Sequence, residues 1–97
     1  MRLKQVEINI ITAATKHIFG VNSKVWLFGS RTDDQQKGGD IDLYIQAGNQ
    51  SDLMTKKINF LVILKSKLGD QKIDVVISRD TSRLIEQEAI KTGIRLL

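Results

Sequence analysis

The sequence predicts a small α/β (α+β) protein in which a mixed β-sheet is backed by helices. A length of 97 residues fits one domain, and we expect residues 1–97 to form it. Apolar residues alternate between helical spacing and short strand-like runs, in the order helix, strand, loop, strand, helix, strand, helix. This order is typical of a layered sheet, and we expect the helices to lie on one side of it.

The first half of the chain predicts a helix over 3–18, because apolar residues recur there at spacings of three and four. Its expected buried stripe consists of Leu3, Val6, Ile10, Ala13, Ala14 and His17. Gly20 is expected to end this helix. The strand-forming run 24–28 follows, then a polar loop over 29–39 and a second strand over 40–46.

The second half predicts a helix from Ser51, as N-terminal cap, to residue 68. Its expected buried face consists of Leu53, Leu61, Leu64 and Leu68. A third strand is expected over 72–77, and a last helix capped by Asp80 or Thr81 is expected to end near Gly93. The apolar tail 94–97 suits docking either on the core or on a partner.

Composition narrows the class of protein. The chain has no cysteine, which excludes disulfides and thiolate zinc sites and fits a reducing cytoplasm. It has no apolar run near the ~20 residues that span a membrane, and no apolar signal-peptide core, so we expect a cytoplasmic protein. A net charge of +4 favours anionic partners, or serves solubility alone.

Three aspartates are the candidate catalytic and metal-binding residues. Asp40 and Asp42 are two positions apart, so they project from the same face of their strand. Asp74 interrupts an apolar strand, where a charge is costly unless it is paired or bound to metal. If the two strands are neighbours, three carboxylates converge on a site that suits Mg²⁺. The alternative is a solvated turn and an edge-strand residue that faces water.

A Gly-Ser turn precedes the acids and predicts a nucleotide-binding loop. Gly29 lets the backbone approach a ligand closely, and Ser30 together with nearby N–H groups suits phosphate oxygens. Arg31 and Lys37 are placed to meet phosphate charge. The alternative is an ordinary strand-ending turn followed by solvated cations.

The motif Gly29-Ser30, nine residues, then Asp40-Ile41-Asp42-Leu43, with a later Asp74, resembles the DNA polymerase beta-like nucleotidyltransferase superfamily. The Phe-Gly-Ser-Arg opening, the short length and the ending 88–97 are most similar to its minimal nucleotidyltransferases. The resemblance covers nearly the whole chain. It implies Mg²⁺ (or Mn²⁺) on the three aspartates, Asp74 as candidate base, and ATP or another NTP held at the turn.

The resemblance further implies an enzyme that transfers a nucleoside monophosphate to a hydroxyl acceptor and releases pyrophosphate. Minimal members often act as antitoxin partners of a helical HEPN-type protein, and some adenylylate a tyrosine of that toxin. A HEPN protein is therefore the expected partner, in a homo- or hetero-oligomer. Larger relatives recognise base and acceptor through a C-terminal domain, so a second chain is expected to supply that recognition here.

Two alternatives remain open at the level of sequence. The chain could be a binding module that neutralises a toxin by complex formation, with weak or no catalysis. It could also be a basic nucleic-acid-binding domain, since its pI is about 9.6. Binding that falls steeply with salt and ignores the three acids would favour the latter.

Overall fold

A computed structural model of the chain describes residues 3–29, 40–69 and 71–97. These residues form helices and strands in the predicted order. The helices are α1 (Gln5–Phe19), α2 (Leu53–Leu68) and α3 (Leu84–Thr92), and the strands are β1 (Lys24–Phe28), β2 (Ile41–Gln46), β3 (Ile73–Ile77) and β4 (Ile94–Arg95). Among these residues no helix is both long and apolar enough to cross a membrane.

The strands form one mixed sheet in the order β3-β2-β1-β4. β1 is antiparallel to β2, with Phe28 opposite Asp42. β2 and β3 are parallel, with Asp42 opposite Asp74. The predicted mixed sheet is confirmed, and so is the adjacency of the two strands that carry the acids.

The sheet is covered on both faces. The side chains of Leu27, Leu43 and Val75 point to one face, into the main core beneath α1 and α2. Trp26 and Tyr44 point to the opposite face and pack with Ala89 of α3. The expectation that the helices lie on one side is therefore wrong for α3. Alternation along a strand defines two faces, but it does not say which face a later helix covers.

The predicted buried stripe of α1 is correct for Leu3 and Ala14 but wrong for Val6, Ala13 and His17, because the helix is rotated. Val6 is 60% exposed, whereas the buried residues of the helix follow a neighbouring stripe. That stripe consists of Ile11, Ala14, Thr15 and Phe19. Both stripes have helical spacing, so periodicity alone does not choose between them. The Phe19 ring, which packs against Phe60 of α2 with centroids 5.3 Å apart, anchors the observed rotation.

The predicted ends of α1 and α3 at Gly20 and Gly93 are confirmed, but the predicted N-terminal caps of α2 and α3 are wrong. α2 begins after Asp52, and the Ser51 hydroxyl instead donates to the side chain of Asn49 in the preceding turn. The Asp80 carboxylate accepts hydrogen bonds from Ser82, and α3 begins only after Arg83. In both places a short polar side chain stabilises a turn before the helix, which is the usual competitor of capping.

The tail docks on the core. β4 pairs with β1, and the N–H of Leu96 donates to the carbonyl of Val25 at 2.8 Å. Leu96 and Leu97 pack against the main core. Of the two placements left open by the sequence, the structure shows the first.

Candidate functional site

The acids lie at the end of β2 and β3 where both strands begin. Asp42 and Asp74 are direct neighbours across the parallel pair. One step earlier, the N–H of Ile41 donates to the carbonyl of Lys72 at 2.9 Å, which sets Asp40 beside Lys72. The Lys72 ammonium lies 3.5 Å from a carboxylate oxygen of Asp40. The corner therefore holds two cross-strand pairs, one of opposite charges and one of like charges.

The surroundings of Asp42 disfavour its charged form. Partial burial is the largest cause that raises its pKa above the ordinary value of 3.8. The charges of Asp74 and Asp40 raise it further, as does a hydrogen bond between the carboxyl groups of Asp42 and Asp74. Lys72 acts in the opposite direction. A group whose pKa is raised by neighbouring carboxylates gains from an added cation, which makes this corner a candidate for cation binding.

The donor set suits a hard divalent cation in its chemistry, since Mg²⁺ takes oxygen ligands and usually one or two carboxylates. In the described ranges, however, no three His, Cys, Asp or Glu side chains are grouped closely enough to hold one ion. The Asp40 carboxylate is paired with Lys72 instead. The pair Asp42 and Asp74 is thus the part of the predicted metal site whose residues stand together.

Gly29 follows β1 and packs against the same corner. Its φ of +77° lies in the region that favours glycine, and a Cβ placed there would clash with the carboxylate of Asp42. The glycine predicted for close backbone approach is therefore held against a predicted catalytic acid. The other predicted phosphate-binding residues, Ser30, Arg31 and Lys37, lie outside the described residues.

Glu86 is a buried carboxylate that sequence reasoning missed. It is fully buried in α3 and accepts hydrogen bonds from two hydroxyl groups, two backbone N–H groups and one guanidinium. The donors are the Tyr44 hydroxyl at 2.8 Å, the Ser78 hydroxyl at 2.7 Å, the N–H groups of Arg79 at 3.0 Å and Asp80 at 2.9 Å, and the Arg83 guanidinium at 3.4 Å. They join α3 to β2 and to the segment after β3.

The donors also set the protonation of Glu86. Burial alone would raise its pKa, but the N–H groups of Asp80 and Arg79 and the hydroxyls of Ser78 and Tyr44 outweigh burial. They lower the pKa from 4.5 to about 2, so the group is ionised at neutral pH. Acidic residues are common in the first turn of a helix, because the positive end of the helix dipole lies there. The position of Glu86 in the sequence therefore did not indicate that its side chain is buried.

The family whose sequence model matches residues 9–97 is described as polymerase beta nucleotidyltransferase. The chain belongs to this family. That membership confirms the family predicted from the Gly-Ser turn and the paired aspartates, and it agrees with the observed mixed sheet and helices. No protein of curated function matches the chain with significance.

Two solved structures have a similar fold. One is the tri-AMPylated Shewanella oneidensis HEPN toxin in complex with MNT antitoxin, of which a chain superimposes with a TM-score of 0.71 at 24% identity, covering 98% of this chain and 72% of that chain. The other is a toxin–antitoxin complex, MntA-HpeT, in a mutant with two aspartates changed to glutamate. Its TM-score is 0.66 at 22% identity, with coverage of 94% and 71%. At these identities the likeness shows the fold alone.

Proposed function

We propose that this nucleotidyltransferase-family chain is a metal-dependent enzyme that transfers AMP from ATP to a hydroxyl group of a protein. The observation that carries the proposal is the cross-strand pair Asp42 and Asp74, with Asp40 at its edge and Gly29 against it. A partly buried Asp42 beside the like charge of Asp74 destabilises a fold, so the placement of this pair favours a function for it.

In the proposed reaction the acceptor oxygen attacks the α-phosphorus in line. The new O–P bond forms as the bond to the bridging oxygen breaks and pyrophosphate leaves. Bound Mg²⁺ would neutralise the triphosphate oxygens and stabilise the charge that develops on the leaving group. Asp40 and Asp42 would hold that cation.

Asp74 is the proposed acceptor of the hydroxyl proton. It is more exposed than Asp42 and lies beside it on the edge strand, where an incoming hydroxyl can reach it. The Lys72 ammonium lies 3.5 Å from Asp40, so it would add a second positive charge for phosphate oxygens at this corner. Most of the rate gain in such a site comes from positioning and charge neutralisation.

The proposed acceptor is a tyrosine of a HEPN-type toxin that this chain accompanies as antitoxin. Support comes from the similar structure, in which the HEPN toxin in complex with MNT antitoxin is tri-AMPylated. In the second similar complex the altered aspartates are two positions apart, the same spacing as Asp40 and Asp42. ATP and Mg²⁺ are the nucleotide and metal proposed for this chain.

The test is label transfer from α-³²P-ATP with Mg²⁺ to a co-purified HEPN protein. Wild type is compared with Asp42→Asn and with Asp52→Asn, which makes the same change at an exposed position before α2. We expect label on the HEPN protein with wild type and Asp52→Asn only. Equal labelling by Asp42→Asn, or none by wild type, would overturn the proposed enzyme.

The second candidate is an antitoxin that acts by complex formation without transfer. The observation that favours it is the ion pair of Asp40 with Lys72, which leaves the described residues without a preformed three-acid site. It predicts that toxin inhibition survives Asp42→Asn unchanged and requires no ATP. Inhibition lost together with labelling would exclude it.

A further inference from the structure

A groove of about 240 Å³ runs along the outer edge of β3. The start of α2 forms one wall, and the residues after β3 form the other. Its lining residues include Met54, Lys57, Val75, Ile77, Arg79 and Arg83. Met54 is 64% exposed there, although it is a large apolar side chain. The groove begins close to Asp74 and extends away from it along the strand.

The backbone of β3 offers hydrogen bonds to this groove. The carbonyl of Lys72 and the N–H of Ser78 both bond to β2, at 2.9 and 2.8 Å. Because bonding alternates along a parallel strand, the even-numbered residues between them face β2 and the odd-numbered residues face outward. The N–H and carbonyl groups of Val75 and Ile77 therefore point into the groove. No strand of the described residues lies on that side of β3.

The charge of the groove is positive. Lys57, Arg79 and Arg83 line it, and none of its lining residues is acidic. Arg83 also pairs with Glu86 at 3.4 Å, which partly neutralises its charge. A second copy of this basic chain, edge to edge, would bring like charges together. A polypeptide with carboxylates fits both the backbone edge and the cations.

The geometry points to the β3 edge as the docking site for the acceptor polypeptide, an extended acidic segment that adds as a further strand. This inference rests on the proposed transfer function. The acceptor hydroxyl lies beside Asp74, on the face that carries the acids. Arg79 lies beyond the end of β3, so acidic residues several positions from the acceptor meet the cations. The edge strand thus selects the substrate as an acidic, extended segment that bears the acceptor tyrosine.

The test is binding of a short peptide in which valine alternates with glutamate around one tyrosine, followed by amide exchange in NMR spectra. We expect the amides of Val75 and Ile77 to become protected at least about tenfold on binding, because they gain partners. The amide of Val76, which already faces β2, is the control within the same strand. Unchanged exchange at Val75 and Ile77 with peptide bound would overturn the strand addition.

Charge is tested with the double variant Lys57→Glu and Arg79→Glu. A matched control, Lys24→Glu and Lys65→Glu, makes the same change in net charge at exposed positions outside the groove. We expect at least about tenfold weaker peptide binding for the first variant and little change for the second. Equal binding by both variants, or no binding by the wild-type chain, would overturn the docking site.

Labelling of the HEPN protein separates this inference from the proposed function. If transfer requires Asp42 but does not depend on Lys57 and Arg79, the docking site is wrong and the proposed enzyme stands. If peptide binding depends on Lys57 and Arg79 but no acceptor is labelled, the docking site stands and the proposed enzyme is wrong. Loss of both transfer and binding in the groove variant, with the control variant active, supports the two together.

Discussion

Two carboxylates on the same side of the sheet have opposite surroundings. Glu86 is fully buried and accepts hydrogen bonds from hydroxyl, backbone and guanidinium donors, which lower its pKa to about 2. Asp42 is only partly buried, yet its neighbours Asp74 and Asp40 raise its pKa. Burial alone therefore does not decide the charge state of an acid. The donors around it do, and only one of these sites has enough of them.

One of these carboxylates serves stability and the other serves function. The Glu86 cluster joins α3 to β2 and the end of β3, so its carboxylate stabilises the fold as an ion. The Asp42 corner costs stability as an ion until a cation arrives. A site that needs an external cation is typical of catalysis, whereas a self-sufficient cluster is typical of architecture.

The largest expected effect is on catalysis, from Asp42→Asn. We expect label transfer to fall by about 10³-fold, roughly 4 kcal/mol, because the proposed metal ligand and its charge are lost. The Tm should rise by a few degrees in the presence of a chelator, because repulsion from Asp74 and Asp40 disappears. Calorimetry and the labelling assay measure the two effects. A Tm that falls would contradict the repulsion.

The next effect is on stability, from Glu86→Gln. The glutamine amide would place its own N–H groups against hydroxyl and N–H donors that now bond to a carboxylate. We therefore expect the free energy of unfolding to fall by about 2–4 kcal/mol at pH 7. For a domain of this size the Tm should fall by about 10 °C or more. Glu88→Gln, an exposed position of the same helix, is the matched control. Equal effects from the two variants would show that the Glu86 cluster does not stabilise the fold.

Local patterns predicted one of these regions and missed the other. The spacing of Asp40 and Asp42 and the apolar surroundings of Asp74 are visible in short windows, and so is strand 24–28, whose bounds the structure reproduces. Glu86 has the signature of any acid in a first helical turn. Its partners Tyr44 and Ser78 are distant or unremarkable in sequence, so only the placement of α3 reveals it.

The failures at the helices have a common physical reason. The rotation of α1 was set by a packing contact between Phe19 and Phe60, which helical periodicity does not contain. The side chains of Ser51 and Asp80 form hydrogen bonds within the preceding turns instead of capping the helices, and short sequence windows favour both arrangements equally. Strand order also comes from tertiary packing. The sequence therefore predicted that Asp42 and Asp74 meet only if their strands are neighbours, which the sheet shows them to be.

A smaller effect is expected from Gly29→Ala, which tests how closely the turn supports Asp42. A left-handed backbone angle costs about 1–2 kcal/mol for alanine, and the new methyl group also meets the Asp42 carboxylate. Gly69→Ala is a matched control, because φ is +80° there and a Cβ meets nothing within 4 Å. We expect both variants to lose stability and only Gly29→Ala to lose transfer, by about tenfold. Equal transfer by both would remove the proposed contact from the mechanism.

The smallest effects are expected in the pH dependence of stability, and they have opposite signs in the two regions. The folded pKa of Glu86 is lowered, so its stabilisation is complete above 4.5 and is lost as the pH falls toward about 2. The folded pKa of Asp42 is raised above 3.8, so its contribution is most favourable below that value and is lost as the pH rises through the folded pKa.

Thermal unfolding with a chelator, from pH 7 down to pH 3, measures both dependences. At pH 7 the Tm of Asp42→Asn should be higher than that of wild type, and the Tm of Glu86→Gln should be lower. On acidification the difference in Tm between Asp42→Asn and wild type should disappear as Asp42 takes up its proton. The difference between Glu86→Gln and wild type should become smaller below pH 4.5. If the Asp42→Asn gap is constant with pH, the stabilisation comes from something other than removal of a charge. That outcome would make the contrast between the two carboxylates one of packing instead of electrostatics.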